Sequence, residues 1–362
     1  MNWFSGLRQR GTIGGRATRL VLGVAAVSAM VLGTAGVGAG AAAADTVIET
    51  IPVGVRPDGV AVSPDGSRAY VANNSGGTVS VVDTGTNTVV DTIPVGAGPS
   101  RVVVSPDGSR VYVTNTSDST VDVIETGTNT VFDTIPVGTA PFGVAVSPDG
   151  SRVYVTDLAN GTVDVIDTSS NSVVDTITIG ALSFGVAVSP DGSRVYVTNQ
   201  TDGTVDVIDT STNTVVDAIA VGVAPSAVAV SPLGFRVYVT VAGDTTVSVI
   251  NALTKTVVDT IPVGSGPSGV AVSPNGFRVY VTNQGDGTVS VINTLTKAVV
   301  DTITVGDFPI GVAVSPGGSR VYVTNQNDDT VSVIAIDRCL GSLCVDFGSL
   351  TGSGSGTGST FS

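Results

Sequence analysis

The chain has 362 residues, with 16 Lys plus Arg against 30 Asp plus Glu and no histidine, which gives a net charge of −14. An acidic surface repels a phosphate backbone, so this composition disfavours general nucleic-acid binding. The lack of histidine removes the commonest general base and the usual protein ligand of haem, copper and catalytic zinc.

The first 44 residues differ in kind from the rest of the chain. Four arginines precede an apolar, small-residue stretch from Leu20 to about Ala39, which ends in four alanines before Asp45. This pattern predicts a cleaved signal peptide over residues 1–44, with a retained membrane anchor as the alternative. No Arg-Arg pair occurs, which favours the general secretory route. The mature chain then carries 12 basic against 30 acidic residues, a net of −18, and is expected to be secreted, at the cell surface or in a periplasm-like space.

Seven copies of one unit follow, each 42 residues after the last. A Ser-Pro dipeptide marks every copy, at Ser63, Ser105, Ser147, Ser189, Ser231, Ser273 and Ser315. Each unit holds four short segments rich in Val, Ile, Thr and Tyr, and a β-only repeat of this length is typical of propeller blades. In the second unit the predicted strands are Arg101–Val104, Arg110–Asn115, Thr120–Thr126 and Thr130–Val137. The Ser-Pro-Asp-Gly connection predicts a tight hairpin with a positive φ at its glycine.

The two ends of the array complement each other. The last unit stops after its third strand, Thr330–Ile336, and the missing fourth strand is found at Asp45–Gly54. Pairing the two would close the ring and remove both exposed sheet edges. The sequence therefore predicts an all-β, seven-bladed propeller of four-stranded antiparallel blades over residues 45–337, closed by the N-terminal strand. An open β-solenoid with a 42-residue coil is the alternative.

Residues 338–362 form a separate tail. From Phe347 onward its composition is Gly- and Ser-rich, which is typical of a flexible segment. Cys339 and Cys344 are the two cysteines of the chain, and in an exported protein a nearby pair predicts a disulfide.

The repeat resembles a known family. The segment Val-Tyr-Val-Thr-Asn begins at Val111, Val195, Val279 and Val321, and near copies begin at Ala69, Val153 and Val237. On these motifs the chain resembles the YVTN β-propeller family of secreted and surface-layer proteins, which implies the propeller fold. Related seven-bladed folds include lactonases, streptogramin lyases and the propeller of nitrous oxide reductase. The lyases and reductases rely on histidine, so the resemblance does not carry their activity to this chain.

Candidate site residues are those that depart from the repeat. The segment leading into each innermost strand varies most, and in propellers it lies beside the central channel. The departures there are Arg56, Asp58, Arg101, Asp307, Phe142 and Phe184. We predict that the four charged residues form one side of a ligand-binding funnel, opposite the two phenylalanines; neutral variation on a solvated rim is the alternative. Because exposed charges contribute little to stability, Arg101→Gly is expected to leave stability nearly unchanged.

Residues shared by all units have a structural interpretation. The seven tyrosines and the arginines from Arg68 to Arg320 recur at fixed positions, which favours packing for the former and turn or rim contacts for the latter. Carboxylates between the second and third strands could hold Ca²⁺, but no compact Asp-x-Asp-x-Asp loop occurs. No metal site and no cofactor are predicted.

No recognisable catalytic set is present, so the sequence predicts a non-enzymatic, exported scaffold that binds a protein or a cell-envelope polymer. We expect a monomer without a transmembrane helix in the mature chain. One alternative is a lactonase-like enzyme that uses the Arg/Asp funnel. Another is DNA binding, as in a periplasmic relative, which the acidic charge disfavours.

Overall fold

The computed structural model describes residues 45–180 and 182–336, together with the backbone of two short strands at 339–340 and 343–344. All regular structure in these residues is β. The predicted signal peptide and most of the tail lie outside the described residues, so both stay predictions. Among the described residues no helix has the length and apolar character needed to cross a membrane.

The first four complete sheets follow one another along the chain. Blade one contains β2 (Pro57–Val62), β3 (Arg68–Asn73), β4 (Thr78–Asp83) and β5 (Thr88–Pro94). Blade two contains β6 (Pro99–Val104), β7 (Arg110–Asn115), β8 (Thr120–Glu125) and β9 (Thr130–Pro136). Blade three contains β10 (Pro141–Val146), β11 (Arg152–Asp157), β12 (Thr162–Asp167) and β13 (Ser172–Thr178). Blade four contains β14 (Ser183–Val188), β15 (Arg194–Asn199), β16 (Thr204–Asp209) and β17 (Thr214–Ala220).

Three further sheets complete the ring. Blade five contains β18 (Pro225–Val230), β19 (Arg236–Val241), β20 (Thr246–Asn251) and β21 (Thr256–Pro262). Blade six contains β22 (Pro267–Val272), β23 (Arg278–Asn283), β24 (Thr288–Asn293) and β25 (Ala298–Thr304). Blade seven contains β26 (Pro309–Val314), β27 (Arg320–Asn325), β28 (Thr330–Ala335) and, from the other end of the chain, β1 (Thr46–Pro52).

The N-terminal strand closes the ring, as predicted. β1 runs antiparallel to β28, with Thr46 opposite Ala335 and Pro52 opposite Thr330. The innermost strands of blades one and seven, β2 and β26, are also neighbours. The open solenoid is therefore wrong. Every strand of the seven blades lies within residues 45–336, so a chain that begins at Asp45 retains every strand of the propeller.

The backbone hydrogen bond of the hairpin that joins the two innermost strands is the same in every blade, whereas the side chain that caps this turn varies. In blade one the Gly66 amide donates to the Ser63 carbonyl at 2.8 Å, and Gly66 has φ +73°. The Ser63 hydroxyl donates to Asp65 at 2.5 Å, and this bond, together with the bonds from the Ser67 amide and hydroxyl, lowers the pKa of Asp65 to about 2. The predicted positive φ is confirmed, because only this backbone shape turns the chain within so few residues.

The hydrophobic core lies between the blades. Six of the seven clusters combine a tyrosine and valines of one blade with valines and an isoleucine of the next, as with Tyr70, Val79, Val111 and Ile124. In the cluster between blades seven and one, Val82 takes the place of the isoleucine. All seven tyrosines are buried, with exposed fractions of 4% or less, so their interpretation as packing residues is confirmed.

The two ends of the propeller carry different connections. The upper end is defined here as the end at which the innermost strands begin, for example at Pro57, which pairs with Asn73. The lower end is the opposite one, which carries the Ser-Pro turns and the turns between third and fourth strands. The repeat arginines begin the second strands and therefore lie at the lower end, away from Arg101.

The tail contains one described hairpin. Its strands are β29 (Cys339–Leu340) and β30 (Leu343–Cys344), and Cys339 is opposite Cys344 in the register. The side chains of both cysteines lie outside the described part of the chain, so the disulfide stays a prediction.

Candidate ligand-binding site at the upper end

Four of the six candidate residues form one continuous row at the upper end of the channel. They come from consecutive blades: Asp58 from blade one, Arg101 from blade two, Phe142 from blade three and Phe184 from blade four. Arg101 Nη1 forms an ion pair with Asp58 Oδ1. The Arg101 guanidinium lies 4.4 Å from the centroid of the Phe142 ring. Phe142 and Phe184 meet edge to face, with centroids 5.2 Å apart and an interplanar angle of 75°.

The phenylalanines therefore do not lie opposite the charged residues, and that part of the prediction is wrong. Phe142 is in direct contact with Arg101, because blades two and three are neighbours and the planar guanidinium stacks on the negative face of the ring. Along the row, a carboxylate is followed by a guanidinium cation and then by two aromatic rings.

Asp58 is buried, so the alternative of neutral variation on a solvated rim does not describe it. Its exposed fraction is 6%, and burial raises the pKa of its carboxyl while the neighbouring Arg101 and Arg56 oppose this rise. Arg101 retains 25% exposure of its side chain. The structure therefore changes the expectation for Arg101→Gly: because the substitution would leave a buried carboxylate without its guanidinium, we expect it to be destabilising.

Arg56 lies beside this row, at the junction of blades seven and one. Its amide donates to Asp329 Oδ1 at 2.7 Å, and its Nη2 donates to Gln326 Oε1 at 3.0 Å. Gln326 is 6% exposed, and sequence reasoning missed it. The equivalent positions in the other blades hold Asn, Thr, Leu, Gln or Ala, so no consistent departure marked it.

Asp307 is not part of the row. It is exposed, it accepts a bond from Asn327 Nδ2 at 3.0 Å, and its amide donates to Asp328 Oδ2 at 2.7 Å. These contacts stay within the loops of blade seven. The structure thus brings together Asp58, Arg101, Phe142 and Phe184, places Arg56 at their edge and leaves Asp307 apart.

The ion pair also coincides with an irregular junction between blades. In six blades the hydroxyl of a threonine in the second strand accepts a hydrogen bond from a backbone amide near the start of the innermost strand of the same blade. The same hydroxyl donates a hydrogen bond to a backbone carbonyl of the next blade. Thr114 illustrates the bridge, with the Arg101 amide at 3.1 Å and the Phe142 carbonyl at 2.7 Å. The six bridging threonines are Thr114, Thr156, Thr198, Thr240, Thr282 and Thr324.

Blade one has Ala72 at this position and no hydroxyl to make the bridge. The Asp58–Arg101 ion pair crosses the same junction, between blades one and two. Asn74 Nδ2 adds a bond to the Pro99 carbonyl at 3.3 Å. Asp58 and Arg101 therefore join two blades as well as forming part of the row.

A third irregularity lies in blade three, where Asp157 stands in place of the Asn of most blades. Asp157 is fully buried, and Asp164, on the adjacent strand, is 4% exposed. Asp157 Oδ2 accepts from Thr162 at 3.1 Å, while Oδ1 is buried without a hydrogen-bond partner. Burial and the adjacent Asp164 carboxylate raise the pKa of Asp157 to about 7. Asp164 itself accepts from the Gly138 amide and the Thr176 hydroxyl.

Other carboxylates of the upper end cap loop amides. The carboxylates of Asp118, Asp244 and Asp286 accept hydrogen bonds from the backbone amides of Ala97, Val223 and Ser265, respectively. The distances between nitrogen and oxygen are 2.6–2.9 Å. Within the described residues no three acidic or cysteine side chains are grouped as a metal site would require.

The grooves of the lower end follow the repeat. One of about 520 Å³ lies between blades two and three and is lined by Asp107, Arg110, Tyr112 and Asp149. An equivalent of about 490 Å³ lies between blades one and two. Since the groove recurs with the unit, it reflects the scaffold, whereas the upper row occurs once.

Two family models match the chain. The one described as a seven-bladed β-propeller lactonase matches residues 144–346, and the one described as a YNCE-like β-propeller matches residues 46–152. No curated protein matches the sequence. Among solved structures, a chain of Kuenenia stuttgartiensis hydrazine synthase is similar, at 26% identity and a TM-score of 0.73, over 78% of this chain and 96% of that chain. Because the first family model spans more than half of the sequence, the chain belongs to the lactonase family of seven-bladed β-propellers.

Proposed function

We propose that the protein is an exported, non-catalytic propeller that binds a protein or a cell-envelope polymer at the upper end of its channel. The observation that carries the proposal is the row of Asp58, Arg101, Phe142 and Phe184. These four residues depart from the repeat, come from four consecutive blades and touch one another in sequence. We retain the narrower assignment to YVTN-type surface propellers as part of this proposal, on the motifs in the second strands.

The chemistry of the row favours recognition over catalysis. A general base must be able to take a proton from its substrate, whereas Asp58 is buried and already paired with Arg101. The chain also has no histidine to serve in its place.

The row suits a ligand with a flat apolar face and an anionic or carbonyl group. Phe142 and Phe184 are half-buried, so parts of both rings face solvent. Arg101 uses Nη1 for Asp58 and for the Ser100 carbonyl at 3.4 Å, and a guanidinium offers five donors in all. A sugar ring or an aromatic side chain would stack on the rings, and a carboxylate or phosphate would meet Arg101.

The test uses Phe184→Ser, because serine is the residue of three other blades at this position. Immobilised propeller of residues 45–362 is incubated with cell-wall fragments and with exported proteins of the producing cell. Loss of one aromatic contact should weaken retention about tenfold. Phe132→Ser, which removes a 61% exposed ring on an outer strand, is the matched control and should retain binding. Equal retention by Phe184→Ser and the parent would reject the site.

Lactone hydrolysis is the second candidate, and the family match favours it. At the upper end, Asp58, whose pKa is raised by burial, adjoins the Arg101 guanidinium. For catalysis a substrate would have to break this pair, so that Asp58 can exchange a proton and Arg101 can stabilise an oxyanion. A panel of sugar lactones tests this. Turnover that is abolished in folded Asp58→Asn protein would replace the scaffold proposal, and a lack of turnover would remove the enzyme.

A further inference from the structure

The lower end is strongly asymmetric in apolar exposure. Five large apolar side chains stand on the turns of blades five and six, with exposed fractions from 55% to 88%. We name them the apolar sector: Leu233, Phe235, Leu253, Phe277 and Leu295. In blades one to four the equivalent positions hold only Asp, Ser or Gly, for example Asp65, Ser67 and Gly85. The sector is therefore a departure confined to two adjacent blades.

The turns that carry the five residues are adjacent to one another. Within blade five the Ala252 amide donates to the Phe235 carbonyl at 3.2 Å, which joins the two turns that carry Phe235 and Leu253. Within blade six the Thr294 amide makes the same bond to Phe277 at 3.0 Å.

The turns of the two blades also touch each other. A Cβ on Gly276 would lie 3.7 Å from Pro232, next to Leu233. Lys297 of blade six forms an ion pair with Asp259 of blade five at 2.6 Å. Large contiguous apolar patches on soluble proteins mark interaction sites.

Charge is reversed in the same sector. At the lower end, counting the turns, the adjacent strand ends and the aspartate in the middle of each fourth strand, each of blades one to four carries one arginine against three carboxylates, a net of −2. Blades five and six each carry an arginine and a lysine against one carboxylate, a net of +1. Six positions account for the change in charge. Leu233 and Asn275 replace Asp, and Asn251 and Asn293 replace Asp or Glu. Lys255 and Lys297 replace Asn.

We propose that the apolar sector docks on an anionic lipid surface, with the leucine and phenylalanine tips in the interface and the basic residues at the level of the headgroups. Apolar area plus basic charge is the combination that binds proteins to such surfaces. A second copy of this chain offers either the same basic sector, which repels, or the acidic turns of blades one to four, which are polar. Only an amphiphilic anionic surface complements both properties at once. This surface is at the opposite end from the proposed ligand site and does not depend on it.

The net negative charge of the molecule does not prevent this contact. At physiological ionic strength exposed charges are screened beyond about 8 Å, so the acidic turns of blades one to four act weakly if the propeller tilts onto blades five and six. Binding should accordingly weaken with salt through the lysines, while the apolar part remains.

The experiment compares residues 45–362 with a quadruple variant that replaces Phe235, Leu253, Phe277 and Leu295 by Ser, the residue of other blades at these positions. Both are sedimented with vesicles of phosphatidylcholine mixed with phosphatidylglycerol and with vesicles of phosphatidylcholine alone. The parent should partition onto the anionic vesicles about tenfold more strongly than onto the neutral ones, and the quadruple variant should lose about tenfold. Phe132→Ser is the control and should bind like the parent.

Three results would overturn the proposal. One is failure of the parent to sediment with anionic vesicles, and another is equal sedimentation of the quadruple variant. The third is a dimer of the parent in light scattering that becomes a monomer in the quadruple variant, without vesicle binding by either, which would assign the sector to a second copy. Lys255→Asn with Lys297→Asn should reduce only the salt-dependent part of binding.

Discussion

The repeat is interrupted at two junctions between blades, and at both a buried aspartate pairs with an arginine of a neighbouring blade. The two junctions lie at opposite ends of the propeller. At the lower end, where β1 completes blade seven, Asp45 takes the place of an outer-turn asparagine such as Asn87. Its two carboxylate oxygens meet Arg278 Nη1 at 2.6 Å, and the Tyr280 hydroxyl donates to it at 3.2 Å. At the upper end, where Ala72 removes the threonine bridge, Asp58 pairs with Arg101. Both aspartates are buried, at 5% and 6% exposure.

Blade three shows the contrasting case. There Asp157 is also buried, but its neighbour is the Asp164 carboxylate and no arginine is in contact with it. Two adjacent buried carboxyls cannot both be charged at low cost, so Asp157 keeps its proton to about pH 7. A buried aspartate thus stabilises the contact between two blades where an arginine pairs with it. Where a second carboxylate is adjacent instead, the buried aspartate makes the stability of the protein depend on pH.

Deleting residues 45–54 tests the lower junction most severely. The deletion removes β1, leaves β28 with an open edge and exposes the core that Ile51 covers. At roughly 25 cal/mol per Å² of apolar surface the loss should be at least a few kcal/mol. We expect aggregation or a melting temperature far below that of the parent, measured by circular dichroism. Unchanged melting would show that β1 is dispensable for closure.

Arg278→Ala tests the ion pair between Arg278 and Asp45. Breaking a largely buried pair should reduce the free energy of unfolding by about 3 kcal/mol. Arg236→Ala is the matched control, because Arg236 holds the same position in blade five and bonds to the neighbouring Phe235 carbonyl at 3.0 Å. Its cost should stay below about 0.5 kcal/mol in urea titrations. Equal costs for the two variants would remove the special role of Asp45.

Arg101→Gly tests the upper junction and should cost about 2 kcal/mol. This is less than for Arg278→Ala because Arg101 pairs with one oxygen of Asp58, whereas Arg278 meets both oxygens of the more deeply buried Asp45. Adding Asp58→Ser, the residue of three other blades, should recover most of this loss by removing the buried charge. Adding Ala72→Thr should recover part of it by restoring the bridge to blade two. If neither second change helps, the ion pair does not substitute for the threonine.

Asp157→Asn sharpens the contrast through pH. Since the pKa of Asp157 is about 7 in the folded protein and about 3.9 in an unfolded chain, the folded state binds the extra proton between these values. Stability of the parent should therefore fall as pH rises from about 4 to about 7. The variant should lack this decline and be more stable by about 1–2 kcal/mol at pH 8. Asn199 in blade four, whose side chain bonds to Asp206, shows that the amide fits. A parallel pH profile of parent and variant would contradict the assignment.

The propeller, its seven blades and its closure were predictable from the sequence, because a fixed repeat period and a missing strand are both visible in the order of residues along the chain. The predicted strands of blade two differ from the observed ones by at most two residues at an end. The turn glycines followed from local backbone chemistry, and the tyrosines from their recurrence at one core position.

Contacts between blades were not predictable in the same way. The repeat places Arg101 and Phe142 at one end of adjacent blades, but whether a side chain stacks, pairs or faces solvent depends on its rotamer and on what covers it. For this reason the sequence predicts Arg101 as an exposed charge without its buried partner Asp58, and it places Phe142 on the wrong side of the funnel. The apolar sector was missed because its residues, from Leu233 to Leu295, are separated along the chain by other strands. A 42-residue unit determines which residues each blade carries, whereas the ring decides which of them meet, because neighbours across a junction are joined by packing and charge and not by chain connectivity.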